Sequence, residues 1–230
     1  MIYLKGYKIF ESDTNQFFKT KEETKKWLDD LGIKNYTIND NLSVDVDGDI
    51  KLIYRELDHI PVQFGNVDGG FYCYGNRLKD LKGCPKYVSN YFNCSENQLT
   101  SLEGCPNEVD AFYCSNNKLT SLKGCPKIIR ECFECNYNKL TSLEDGPIEV
   151  GEDYICSNNQ LVNLKGSPIQ ISGDFLVNDN KLISLEGCPN KIVGYLQFVK
   201  NPISELLHLI PEKDLKIFIK YLNEYRVIQN

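Results

Sequence analysis

Residues 94–106 read CSENQLTSLEGCP, and residues 114–126 read CSNNKLTSLKGCP. Two stretches this alike, one after the other, mark an internal repeat, and the repeat decides the fold before any single residue does. Working outward, an asparagine column runs through Asn76, Asn97, Asn117, Asn138, Asn159, Asn180 and Asn201, in steps of 21, 20, 21, 21, 21 and 21 residues. A proline column accompanies it at Pro85, Pro106, Pro126, Pro147, Pro168 and Pro189. Leucines stand two and five residues after each asparagine, from Leu78/Leu81 to Leu182/Leu185. An aliphatic residue stands twelve after: Val88, Val109, Ile129, Val150, Ile171, Ile192. Five before comes an aromatic, at Phe71, Phe92, Phe112, Phe133, Tyr154 and Phe175, then Leu196. Three before comes a cysteine, at Cys73, Cys94, Cys114, Cys135 and Cys156, then Val177 and Phe198.

The unit is F-x-C-x-x-N-x-L-x-x-L-x-G-C-P-x-x-V-x-x-x. Its F-x-C segment alternates with the two-residue period of a strand. Stacked copies form a parallel sheet with one short strand per coil, its rungs ~4.8 Å apart. The asparagine sits where the chain bends and backbone groups lose strand partners. Its amide carries a donor and an acceptor and satisfies both kinds. Gly-Cys-Pro marks the second bend, because glycine tolerates unusual dihedrals and proline gives up an N–H. Six after the asparagine the residues alternate in sign: Lys82, Glu103, Lys123, Glu144, Lys165, Glu186. Neighbouring coils then bring opposite charges together.

This pattern resembles the leucine-rich-repeat consensus L-x-x-L-x-L-x-x-N-x-L, with Phe and Cys at two of the leucine positions, over about residues 50–205. The resemblance implies an α/β repeat fold, a leucine-rich-repeat solenoid with a parallel short-strand sheet facing a concave surface. The Cys-Ser-x-Asn-x-Leu-Thr-Ser-Leu-x-Gly-Cys-Pro form is similar to repeats of large tailed bacteriophages and some bacteria. Residues 3–12 also resemble a phage head-protein leader, with Ile9-Phe10-Glu11 fitting its protease's aliphatic-x-Glu cleavage triplet.

A solenoid needs ends that hide its last apolar layer. Residues 1–49 are expected to form an N-terminal cap, with a helix at about 21–31 and a hairpin at 35–47. Thr20-Lys21-Glu22-Glu23 reads as a capping box, Trp27, Leu28 and Leu31 as the buried face, and Gly32 as the stop. Tyr36, Ile38, Leu42, Val44 and Val46 alternate around the turn Asn39-Asp40-Asn41. Residues 50–204 are the repeats, beginning with a divergent coil that puts Leu57, Ile60 and Pro61 at the leucine and proline positions. Residues 205–230 are expected to form a C-terminal helical cap, with helices at about 203–210 and 212–226 and Leu215, Phe218, Ile219 and Leu222 on one face.

The rest of the composition narrows the function. The formal net charge of −6 argues against a nucleic-acid partner. No apolar run approaches the ~20 residues that span a bilayer, and no secretory signal is visible. Most of the ten cysteines fall in repeat columns and read as small buried hydrophobes, free thiols of a reducing, cytoplasmic compartment. Only two histidines occur, His59 and His208, one in each cap, so no catalytic arrangement assembles around them. Cys132 and Cys135 form a C-x-x-C, but three residues apart on a strand they face opposite sides. Asp45-Val46-Asp47-Gly48-Asp49 looks like part of a calcium loop, yet strand-like residues follow it, and a turn is the simpler reading. Neither an enzyme nor a cofactor is expected.

A protein partner is expected on the outward strand positions. These are Tyr72, Tyr74, Tyr91, Asn93, Tyr113 and Tyr137, with Glu96, toward one end, and Glu134, Asp153, Asp174, Asp179 and Tyr195 toward the other. Arg77, Lys118, Lys139 and Lys181 line one rim. Tyrosine is large, stiff and amphipathic, which suits interfaces. The reading is a protein-binding module, of the kind a phage encodes to inhibit a host defence protein. One alternative is a packaged or structural virion protein. Another is the targeting half of an enzyme or effector.

Overall fold

The structure, a computed structural model, describes residues 17–206 and 226–227. Ile9-Phe10-Glu11, His208 and the apolar set Leu215, Phe218, Ile219 and Leu222 lie outside the described residues.

The chain winds as a parallel β-solenoid. One long sheet has nine strands: Ile50–Lys51, Phe71–Tyr72, Phe92–Asn93, Phe112–Tyr113, Phe133–Glu134, Tyr154–Ile155, Phe175–Leu176, Tyr195–Gln197 and Arg226–Val227. Every pairing in it is parallel, and from Phe71 to Phe175 the aromatics stand opposite one another on successive coils, as in Phe112↔Phe133↔Tyr154. A second wall runs along the other side of the coil. It comprises Ser43–Asp47, Gln63–Asp68 and Tyr87–Val88, then, after a break, Ile128–Ile129, Glu149–Val150, Gln170–Ile171 and Lys191–Ile192. The aliphatic column twelve after the asparagine is therefore a strand column of its own. Its two-residue strands are too short to display alternation, so the sequence shows the column without showing the sheet.

The break has a covalent cause. Val88 is four residues from Phe92, whereas Val109 is three from Phe112, which locates the missing residue of the 20-residue step. Val109 keeps only an isolated parallel bridge to Ile129.

The interior is made of the repeat columns. Phe71, Phe92, Phe112 and Phe133 stack with ring centroids 5.5–5.9 Å apart and planes within 9–19°. The cysteine column and the two leucine columns beside it are fully enclosed from Cys73 to Cys156 and from Leu78 to Leu164. All ten cysteines are free.

Asparagine closes each bend. Asn138 Nδ2 donates to the Cys135 carbonyl of its own coil and the Cys114 carbonyl of the preceding one, both at 3.1 Å. Its Oδ1 accepts the Leu119 N–H at 3.0 Å. The same three bonds repeat from Asn97 to Asn201. The residue just before each asparagine takes a left-handed conformation, at Gly75, Glu96, Asn116, Tyr137, Asn158, Asp179 and Lys200. Glu96, Tyr137 and Asp179 are thus turn residues rather than the outward strand residues the spacing suggested. At the second bend Gly124 has φ +91, and a Cβ there would lie 2.7 Å from the Leu102 carbonyl carbon. The fifth coil instead puts Asp145 in that left-handed place. In the column six after the asparagine, Lys123 meets Glu103 and Lys165 meets Glu186, each at 3.0 Å.

The N-terminal helix is Lys21–Asp30, with Thr20 and Glu23 making a reciprocal capping box. Leu28 is buried, and Phe18, Trp27, Phe64 and Phe71 run in edge or tilted ring contact into the aromatic stack. Strands Tyr36–Ile38 and Ser43–Asp47 pair as an antiparallel hairpin. The second strand also pairs in parallel with Gln63–Asp68, so winding begins at Ser43, before the expected start at 50. The register Val67↔Val88 puts Phe64, not Pro61, opposite Pro85. The spacing misassigned Pro61 because the first coil lacks Gly-Cys-Pro altogether.

At the other end Pro202–Leu206 is helical. Arg226–Val227 is a strand paired in parallel with Tyr195–Gln197, not the end of a helix reaching 226. The last coil leaves a row of unpaired backbone groups, and a strand laid against it satisfies them where a helix would not.

Candidate docking face

On the strands of the long sheet, the residues that alternate with the buried aromatics and cysteines point out of the solenoid. They form three columns, six, four and two residues before each asparagine. The four-before column is in register: Tyr72, Asn93, Tyr113, Glu134, Ile155, Leu176, Gln197. All are half-buried. Ile155 and Leu176 were missed from sequence, because a lone aliphatic among polar neighbours carries no signal of which side it faces.

The two-before column is a polar ladder. Ser95 Oγ accepts the Ser115 N–H at 3.2 Å, and Ser115 Oγ accepts the Asn136 N–H at 3.1 Å. Asn136 Oδ1 accepts from Ser157 at 3.0 Å, Ser157 Oγ from Asn178 at 3.1 Å, and Asn178 Oδ1 from Val199 at 2.9 Å. Each side chain fills the donor that the short strand leaves idle one coil further on. The signal was a column of Ser and Asn at the coil spacing.

The six-before column is Gly70, Tyr91, Ala111, Cys132, Asp153, Asp174 and Tyr195. Asp153 Oδ1 accepts the Asp174 N–H at 2.7 Å, and Asp174 Oδ1 accepts the Tyr195 N–H at 2.8 Å. Asp49 does the same for Gly70 at 2.9 Å, and Asp45 for Asn66 at 2.7 Å. These aspartates cap the chain as it enters the next coil. The Asp45 and Asp49 carboxylates of that turn are spent in this way, and Gly48 supplies its positive φ.

The tyrosines gather at the N-terminal half. Tyr91 and Tyr113 meet edge to face at 6.5 Å, and Tyr54 and Tyr74 at 5.4 Å. Tyr54 Oη reaches Glu96 Oε2 at 2.9 Å. Tyr137 is exposed at a turn, and Tyr195 stands apart on the last full coil. Burial pushes the Tyr113 hydroxyl up to about 12. The Glu131 charge beside Tyr91 raises that hydroxyl too.

Carboxylates gather next to the tyrosines. The columns seven, six and four before the asparagine hold Asp110, Glu131, Glu134, Glu152, Asp153 and Asp174, and no Lys or Arg. Arg130 takes Asp110 at 3.0 Å. Among the described residues, no ion pair reaches the other five. Burial raises the Glu134 carboxyl, and the neighbouring Asp153 charge adds to it. Cys132 lies on this face, its Sγ 3.3 Å from Glu152 Oε2, and burial pushes its thiol up to about 11. Its C-x-x-C companion Cys135 is sealed inside. The basic residues one after the asparagines take the opposite rim, where Arg77 holds Asp58 at 3.0 Å and Lys118 and Lys181 reach Gln98 and Gln160.

Among the described residues, no group of three or more His, Cys, Asp or Glu is arranged to hold a metal, and no helix is long and apolar enough to cross a membrane. A cleft of about 230 Å³ beside the N-terminal helix, lined by Phe17, Phe18, Leu42, Pro61 and Val62 among others, brings no acid–base pair together.

No family model, no curated protein and no solved structure matches the chain.

Proposed function

We propose that the chain is a binding module of leucine-rich-repeat type, and that a partner protein docks on the outer face of the long sheet. The observation that carries this reading is a contrast within single strands. The inward positions repeat one residue type from coil to coil. In the outward column four before the asparagine the residue changes at every coil, from Tyr72 through Asn93, Tyr113 and Glu134 to Ile155. Stacking alone asks for no such variety, while recognition of a partner does. Half-buried tyrosines and aliphatics beside charged groups also match the make-up of protein interfaces. A solenoid is suited to the task, because adjacent coils present a long continuous surface.

The resemblance of the repeat to those of large tailed phages makes a bacterial host lysate the place to seek the partner. The test compares capture by the native chain, by Tyr72→Ala/Tyr91→Ala/Tyr113→Ala, and by Ile148→Ser/Ile169→Ser, which alters two exposed residues away from the long sheet. A partner lost by the tyrosine variant and kept by the other is the expected result. Equal retention by both variants would move the site off this face.

A further inference from the structure

Resting on that reading, we infer that the partner presents a basic, extended segment, rich in Arg or Lys, which lies across the coils from Tyr91 to Asp174. Three features of the face select it. First, six carboxylates and no cation occupy the columns seven, six and four before the asparagine, and five of the six have no ion-pair partner among the described residues. Glu134 and Asp153 stand on adjacent rungs, partly withdrawn from water, and burial together with the Asp153 charge raises the Glu134 carboxyl. A cation set between them removes that cost, and an acidic partner or a phosphate backbone would add to it.

Second, Tyr91 and Tyr113 flank the acidic rungs with ring contact at 6.5 Å. Aromatic faces beside carboxylates suit a guanidinium or ammonium group and its methylene stem. Third, the backbone offers the visitor little. The N–H groups of the face are spent on the Ser/Asn ladder and the aspartate caps. Recognition on this face therefore runs through side chains. Rungs ~4.8 Å apart carry the five acids without an ion-pair partner on three successive coils, and an extended segment repeats its same-side residues at ~6.7 Å, so two or three basic side chains fit.

The probes are fluorescein-labelled peptides of alternating Arg and Ser, Gln and Ser, and Glu and Ser, read by anisotropy in low and moderate salt. The Arg/Ser peptide is expected to bind about tenfold or more tighter than Gln/Ser, and to weaken as salt rises. Glu131→Gln/Glu134→Gln/Glu152→Gln should abolish most of that preference. Glu103→Gln/Glu144→Gln/Glu186→Gln changes net charge equally but in the alternating column, and should preserve it. Should the triple variant not fold, Glu152→Gln alone, at an exposed position, should still weaken the Arg/Ser peptide about threefold. Equal binding of the three peptides, or equal loss in both triple variants, overturns the inference. If a captured protein depends on Tyr72, Tyr91 and Tyr113 while the peptides bind alike, the docking face stands and the basic segment falls. If no protein depends on those tyrosines, the face itself falls.

Discussion

Phe133 and Glu134 are neighbours on one strand, and they belong to two different regimes. Phe133 is one of a column of six aromatics running from Phe71 to Phe175, sealed from water and stacked along the coils. Glu134 sits in a column that holds a different residue at nearly every coil. The inner side is held uniform by stacking, because each residue has to fit the same residue above and below. The outer side is free of that constraint. The difference teaches that in this solenoid stability is written in what repeats, and specificity in what does not.

The comparison can be broken most sharply at the asparagines. Asn138→Ala leaves the Leu119 N–H without its acceptor and takes one of two donors from each of the Cys114 and Cys135 carbonyls, which keep the Asn117 and Asn159 amides. A buried polar group left alone costs about 1–3 kcal/mol and each further bond lost about 1 kcal/mol, so the loss should be up to about 5 kcal/mol in urea unfolding. Asn136→Ala, two residues away on the outer side, gives up one acceptor and should cost about 1 kcal/mol. Comparable losses would erase the distinction between the two sides.

The aromatic column gives the next largest effect. Phe112→Ala should cost on the order of 4 kcal/mol by cavity formation, and its neighbour Tyr113→Ala about 1 kcal/mol.

Alkali should act chiefly on the inner side, where most of the raised thiols lie. Burial raises the thiols of Cys84, Cys94, Cys114, Cys125 and Cys135 well above their ordinary value, and those of Cys105 and Cys188 to about 12. A folded-state pKa above the unfolded one gives stability that is complete below the unfolded value, about 8.5, and is lost as pH rises toward the folded value. The thermal midpoint should therefore fall steadily above pH 9. Cys114→Ala should flatten the slope while lowering the midpoint at pH 7.

The smallest effect sharpens the rule at its one irregular rung. Tyr154 is the only tyrosine in the aromatic column, and its hydroxyl is buried without a partner among the described residues. Gly146 stands where most other coils carry cysteine, and a Cβ there would come within 3.5 Å of that hydroxyl. Tyr154→Phe should raise stability by about 1 kcal/mol, since the stack keeps its ring and loses an unsatisfied group.

Much of this was legible in the sequence because a repeat multiplies weak signals. Seven asparagines at one spacing announce a buried ladder that a single asparagine never could. The second wall was harder to read, since Val88 or Ile129 occupies a strand of only two residues. The left-handed residue before each asparagine was foreshadowed by Gly75, Asn116, Asn158 and Asp179, but Glu96, Tyr137 and Lys200 blurred it. The aspartate caps were hidden for a different reason. A carboxylate that serves a backbone N–H on the next coil looks, in one dimension, like any exposed charge, so Asp153 and Asp174 read as docking residues alone. The terminal strand Arg226–Val227 could not be read at all, because nothing repeats there.

The most direct test of the winding is a set of NMR contacts between side chain and backbone across coils. The account predicts cross-peaks from the Asn117 side-chain amide to the Leu99 N–H, from Asn138 to Leu119 and from Asn159 to Leu140, 18, 19 and 19 residues apart in sequence. Those side-chain amides should also exchange slowly with solvent. Cross-peaks confined to sequence neighbours, with side-chain amides exchanging at the rate of free asparagine, would contradict the stacked coils and the face built on them.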